Sequence, residues 1–148
     1  MALLCSMVAG AVEIEPGVSQ KLAEQRRAAV GNLCYDLKFR IPASRKEKVT
    51  GSAVIKFTYK KCGDDLQLDF QGADGQYGGV VTVNGKKRRA EWRSEHIILK
   101  ESWLKNGENA VDVAFTSGDK SLNRNDDYLY TLFVPDHARS VFPCFDQP

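Results

Sequence analysis

Two histidines, four cysteines and an aromatic, proline-punctuated C-terminal run are where chemistry could sit in this sequence. A zinc hydrolase of the helical kind needs His-Glu-x-x-His, which sets two imidazoles one helical turn apart on a single metal with a carboxylate beside its water. His96 is followed by Ile97, Ile98, Leu99 and Lys100, and His137 by Ala138, Arg139, Ser140 and Val141, so neither opens that motif. Both read as surface or hydrogen-bonded histidines. No metal ligand and no catalytic residue is expected in the chain, which by itself should not hydrolyse peptides. Cys5, Cys34, Cys62 and Cys144 include no Cys-x-x-Cys pair, so zinc-ribbon spacing is absent and free, buried thiols are expected. The basic run Lys86-Lys87-Arg88-Arg89 follows a hairpin signal and is flanked by Glu91 and Glu95. It reads as an edge strand kept soluble by charge; a nucleic-acid face would interleave basic residues with aromatics for stacking. With 21 basic against 19 acidic residues the net charge is +2, too small a field to attract nucleic acid or a membrane surface.

The informative stretch runs from Asp126 to Pro148. It begins as an alternation, turns at Val134-Pro135-Asp136 and ends in Phe142-Pro143-Cys144-Phe145-Asp146-Gln147-Pro148. It closely resembles the end of the N-terminal domain of the aminopeptidase N family of zinc metallopeptidases, the gluzincins. The family pattern there is Tyr-Thr-Gln-Phe-Glu-Pro-x-x-Ala-Arg-x-x-Phe-Pro-Cys-Phe-Asp-Glu-Pro. It aligns without a gap on Tyr130 to Pro148, matching Tyr130, Thr131, Phe133, Pro135, Ala138, Arg139, Phe142, Pro143, Cys144, Phe145, Asp146 and Pro148. Leu132 and Val134 stand where the family often has Gln and Glu, and Gln147 where it has Glu. Looser likeness at Val83-Asn84-Gly85-Lys86, at Leu104 to Asn109 and at Leu122-Asn123-Arg124 extends the resemblance over Leu33 to Pro148, sharp only from Ser121 onward.

The resemblance implies a non-catalytic N-terminal domain of a longer, exported zinc aminopeptidase, periplasmic or at the cell surface. Zinc and the peptide-cleaving residues would belong to a downstream catalytic domain, the partner of this one, and this fragment would hold no cofactor. Leu132, Val134 and Asp136 would lie on the rim of the cleft that receives the peptide substrate. Leu132 can line an apolar pocket, whereas Val134 cannot hold an ammonium group, which leaves Asp136 as the nearest carboxylate or leaves amine capture to the other domain. Arg139, Phe142, Pro143, Phe145 and Asp146 would pack between domains, with Arg139 and Asp146 as a pair, and Phe142 and Phe145 would form a sticky patch on the isolated chain. The alternative is a stand-alone β-sandwich module that binds a glycan or a protein surface, since such folds host many functions.

The elements that must position these residues follow from the periodicity. The chain of 148 residues is 43% hydrophobic and 27% charged, as expected for one globular domain, and no apolar run approaches the roughly 18 residues of a membrane span. Residues 1–11, with Ala9-Gly10-Ala11, read as the remnant of a signal peptide. Residues 12–32 read as a helical surface arm. Its helix runs from Pro16 to Val30, with a stripe of Val18, Leu22, Ala29 and Val30, Arg26 and Arg27 toward water or the helix end, and a stop at Gly31-Asn32. Residues 33–148 read as β. Alternating strands run Leu33–Ile41, Val49–Lys61 and Leu66–Phe70, then Val80–Val83 turns at Asn84-Gly85 into a return strand reaching Trp92. Further strands are His96–Leu99, Val111–Phe115 and Tyr128–Val134, the last after a polar loop at Ser117–Asp126. Both faces of this last strand are largely apolar, which predicts a central strand or one covered on both sides. The fold class is all-β: an antiparallel β-sandwich or saddle-like curved sheet of seven or eight strands with a short N-terminal helix.

Overall fold

The computed structural model describes residues 11–72 and 77–147; the signal-peptide reading of residues 1–11, Cys5, the middle of the glycine loop and Pro148 lie outside them apart from Ala11. The all-β expectation holds. The described residues form ten antiparallel strands and one short α-helix. A five-stranded sheet has the order β1-β2-β8-β4-β5, from β1 (Val30–Arg40), β2 (Thr50–Tyr59), β4 (Val80–Val83), β5 (Lys86–Arg89) and β8 (Gly107–Thr116). It faces a three-stranded sheet of order β3-β7-β6, from β3 (Leu66–Asp69), β6 (Glu91–Arg93) and β7 (His96–Leu99). A separate two-stranded ribbon pairs β9 (Leu122–Arg124) with β10 (Leu129–Thr131).

Period-two alternation builds the core. Ala53, Ile55, Phe57 and Tyr59 of β2 and Val111, Val113 and Phe115 of β8 point the same way and are buried, while Lys56 and Asp112 between them face water. Leu66, Leu68, Phe70, Ile97 and Leu99 answer them from the three-stranded sheet. Where β1, β2 and β8 cross, only glycine fits at position 51: a Cβ there would lie 2.6 Å from the Lys38 carbonyl oxygen and 2.7 Å from the Phe115 ring. Asn84 and Gly85 both adopt positive φ, as the two-residue hairpin between β4 and β5 requires.

Several boundaries differ from the expected ones for local reasons. The helix α1 spans Gln20–Ala29 and starts three residues after Gly17, because Ser19 is its N-cap, the Oγ accepting the Leu22 N–H. Gly31 and Asn32 do not stop the helix. Val30 is already extended, and Asn32 with φ 48° lies in a register shift within β1. Arg26 is buried, not solvated, since it belongs to the Leu22, Arg26 and Ala29 stripe of the helix. The return strand after Asn84-Gly85 divides at Ala90, so that β5 stays in one sheet and β6 joins the other. Ser94 and Glu95, both at positive φ, form a second tight hairpin that no glycine announced. The polar loop 117–126 contains β9, and the strand expected over Tyr128–Val134 is reduced to Leu129–Thr131.

Candidate functional site

The ribbon β9–β10 and the turn after it carry the rim residues. Leu129, Thr131 and Phe133 face inward, and the Phe133 ring meets Phe142 edge-on with centroids 5.8 Å apart. The other parity faces out: Tyr128, Tyr130, Leu132 and Val134 are 57, 56, 64 and 71% exposed. The strand is therefore covered on one side only, and the expectation of a central or doubly covered strand fails. The sequence pattern could not tell the cases apart, because both parities are apolar. The Tyr128 and Tyr130 rings stack with their centroids 6.2 Å apart, and Leu132 and Val134 extend the outward apolar positions along the same stretch. Arg124 ties the ribbon down, donating from its guanidinium to the carbonyls of Pro42, Ser44 and Glu47 at 2.7, 3.0 and 2.7 Å.

Asp136 sits at the end of this stripe, but its carboxylate is engaged. Arg139 Nη2 donates to Asp136 Oδ2 at 2.8 Å, with the arginine nearly buried. Arg139 meets Asp146 through its backbone N–H, which donates to Asp146 Oδ2 at 2.9 Å. Burial pushes the Asp146 carboxyl above its ordinary range, the bond from Arg139 opposes this, and the nearby Asp69 and Asp136 carboxylates add to the rise. Phe142 packs edge-on against Tyr35 and Phe39, and Phe145 against Phe57, so on this chain both are half-buried in its own packing, as Pro143 is fully. The most exposed large apolar side chains of the described residues lie on the ribbon and just after it, with Ile41, Val80, Leu33 and Phe39 exposed to a lesser degree elsewhere.

A second constellation escaped the sequence reading. Asp69, on the outer face of β3, is wholly buried together with His96 of β7, and Arg26 reaches them from α1. Arg26 Nη1 and Nη2 donate to the two Asp69 oxygens, Nη2 also to the Gln67 carbonyl at 2.6 Å, and His96 Nδ1 lies 2.7 Å from Asp69 Oδ1. Burial alone would push the Asp69 carboxyl up. The bonds from His96 and Arg26, the guanidinium charge and the Asp146 N–H at 2.8 Å outweigh it and hold the carboxyl below the usual carboxylate range. The C-terminal segment joins this node through a single antiparallel β-bridge beside β3: Asp69 N–H donates to the Cys144 carbonyl at 2.8 Å and Cys144 N–H returns the bond at 3.0 Å. Two signals were available: the unbroken run Ile97-Ile98-Leu99 puts an apolar residue on the parity of His96, and Arg26 lies four residues after Leu22 on the helix.

Among the described residues no group of three or more His, Cys, Asp and Glu is placed to hold a metal ion. Cys34 and Cys62 are free and exposed rather than buried, and Cys144 is free and buried. No described helix is long and apolar enough to cross a membrane.

No protein-family model matches the chain, and no curated protein matches it. Among solved structures, yeast LTA4 hydrolase in complex with bestatin is similar at TM-score 0.62 and 22% identity, over 89% of this chain and 25% of that one. Native leukotriene A4 hydrolase from Saccharomyces cerevisiae is similar at TM-score 0.61 and 20% identity, over 88% and 26%. At these identities the likeness is one of fold. The chain spans about a quarter of the length of those hydrolases.

Proposed function

We propose that this chain is the non-catalytic N-terminal domain of an exported, zinc-dependent aminopeptidase, and that the ribbon β9–β10 forms one wall of its active-site cleft. One observation carries the reading: Leu132 and Val134, the positions where the sequence resemblance puts the cleft rim, are the most exposed of the large apolar side chains among the described residues. The likeness in fold to two structures of leukotriene A4 hydrolase supports it. Zinc, the water-activating Glu and the chemistry belong on this reading to the downstream domain of the same protein. This wall supplies apolar contact to the first side chain of a peptide. It supplies no free carboxylate for the peptide's amino group, because Val134 has none and Asp136 is held by Arg139; amine capture falls to the other domain.

The test is made on the full-length protein from the source gene. Expected are a downstream His-Glu-x-x-His with a later Glu, bound zinc, and release of amino acids from aminoacyl anilides that chelation abolishes. On that protein, Leu132→Asp raises KM for apolar substrates with little change in kcat. A protein without those ligands, or one that carries zinc and cleaves no aminoacyl substrate, overturns the reading in favour of a β-sandwich binding module.

A further inference from the structure

The outer face of the three-stranded sheet is covered by segments from the two ends of the chain. Residues 11–16 hold it at one set of points: Val12 N–H donates to Asp64 Oδ2 at 3.1 Å, Gln67 Nε2 to the Glu13 carbonyl at 3.3 Å and His96 Nε2 to the Glu15 carbonyl at 2.9 Å. Residues 144–147 hold it at another, through the paired Asp69 and Cys144 backbones and the Asp146 N–H on Asp69 Oδ2. The two segments meet at one carboxylate, through the path Glu15 carbonyl, His96 ring, Asp69 and Asp146 N–H.

We propose that residues 11–16 are a strap whose seating is coupled, through His96 and Asp69, to the seating of the C-terminal segment 144–147. A carboxylate accepts about four hydrogen bonds. Asp69 has three donors around it, two from Arg26 and one from Asp146, with His96 Nδ1 2.7 Å from its Oδ1, and its side chain is shut off from water. When the strap lifts, His96 Nε2 loses the Glu15 carbonyl and becomes a buried donor without a partner, a state that native structures avoid. The ring then turns toward water and leaves the carboxylate. Asp69 loses the imidazole packed beside its Oδ1, water reaches the carboxylate, and its grip on Arg26 and on the Asp146 N–H weakens. Arg26 carries the effect further, since its guanidinium lies 5.3 Å from the centre of the Phe145 ring. By linkage the converse holds: loosening residues 144–147 frees the strap to the same degree. Tyr35 adds a bond from outside the path, its hydroxyl accepting the Phe145 N–H at 2.9 Å, so the C-terminal segment loosens without detaching.

Cys144 is the reporter. Its thiol is buried, and burial pushes it far above the ordinary thiol range, so it reacts slowly while the segment is seated. In the full chain with Cys5→Ser, Cys34→Ser and Cys62→Ser, Cys144 is the single thiol. Two variants unseat the strap from opposite sides. Val12→Pro with Ile14→Asp removes the donor to Asp64 and charges a half-buried strap position, touching nothing in the node. His96→Gln breaks the path itself. Labelling of Cys144 by a maleimide is expected to rise about fivefold or more in both, the low end of a typical coupling. Hydrogen exchange of the β2–β8 amides should stay slow. In the reverse experiment, Phe145→Ala speeds exchange at Val12. An unchanged labelling rate in both strap variants overturns the proposal, as does a rise that matches faster exchange across β2–β8, since that reports global unfolding.

Discussion

Replacing Asp69 by Asn tests whether the buried node holds the fold. The substitution keeps the shape and removes the charge. Arg26, 2% exposed, then has no counter-ion within reach, and one amide nitrogen faces guanidinium and backbone donors where an oxygen stood. Breaking a buried pair from one side costs about 3–5 kcal/mol, because the remaining charge stays buried and uncompensated. That is a large part of the roughly 5–15 kcal/mol that hold a domain folded. With a urea slope near 2 kcal/mol/M, the midpoint followed by Trp92 and Trp103 fluorescence falls by about 1.5–2.5 M. Arg26→Met added to Asp69→Asn recovers part of the loss, because it removes the stranded charge, and the cycle gives a coupling of about 1–3 kcal/mol. The pH dependence has a fixed sign. The Asp69 carboxyl lies below its unfolded value in the folded protein, so its stabilisation is whole above about pH 4 and is lost as the pH falls through the folded value. The wild-type protein therefore loses more stability in acid than Asp69→Asn does. A loss at neutral pH under about 0.5 kcal/mol, with no coupling to Arg26, would refute the reasoning, since that is the range of an ordinary surface change.

Gly51→Ala is expected to cost about 1–3 kcal/mol in thermal unfolding, because its methyl group meets a backbone oxygen and a buried ring, whereas Gly78→Ala, with open space around it, stays within about 0.5 kcal/mol. Arg124→Ala removes three bonds to the carbonyls of loop 42–48 at a cost of about 1–2 kcal/mol, and trypsin should cut sooner at Arg45, Lys46 and Lys48. Changing Tyr128, Tyr130, Leu132 and Val134 together to Ser and Thr should shift unfolding by less than about 1 kcal/mol, since these side chains face water, and should lower self-association in sedimentation.

How much of this was legible in the sequence depended on where the partner of each residue lay. Ala53 to Tyr59 and Val111 to Phe115 announce their buried faces because each sheet has one dry side, and alternation alone reports that. Asn84-Gly85 announces its turn because few residues accept φ 48° and 79° in succession. Ser94-Glu95 makes a similar turn without the usual residues, and β9 is three residues long with no alternation of its own, so neither carries a sequence signal. Gln67, Asp69 and His96 defeated the pattern in another way. They are polar on a parity that Ile98 alone marks as covered, and what buries them arrives from residues 13–26 and 144–146. For the candidate rim, the resemblance singled out Leu132 and Val134, but their exposure was not readable, because an apolar pair of faces looks the same on a central strand and on a half-covered ribbon.

The contrast between surfaces of this one molecule weighs on what the stripe is for. The outward face of the five-stranded sheet carries mainly Asp36, Lys38, Ser52, Lys56, Thr58 and Asp112, its β5 edge carries Lys86, Lys87 and Arg89, and its exposed apolar residues, Leu33, Phe39 and Val80, are at most 43% exposed. These are the charged and polar residues that keep sheet faces and edges from associating. The ribbon β9–β10, exposed in the same solvent, puts four consecutive outward positions to Tyr, Tyr, Leu and Val. Folding does not ask for this. The ribbon is held from its other side, by Phe133 on Phe142, by Arg124 and by the Ser140 hydroxyl on Ser121 at 2.8 Å. Polar residues at the four outward positions would leave every one of those contacts intact. The apolar stripe is thus unexplained by the stability of this domain, and the proposed role as a cleft wall would account for it.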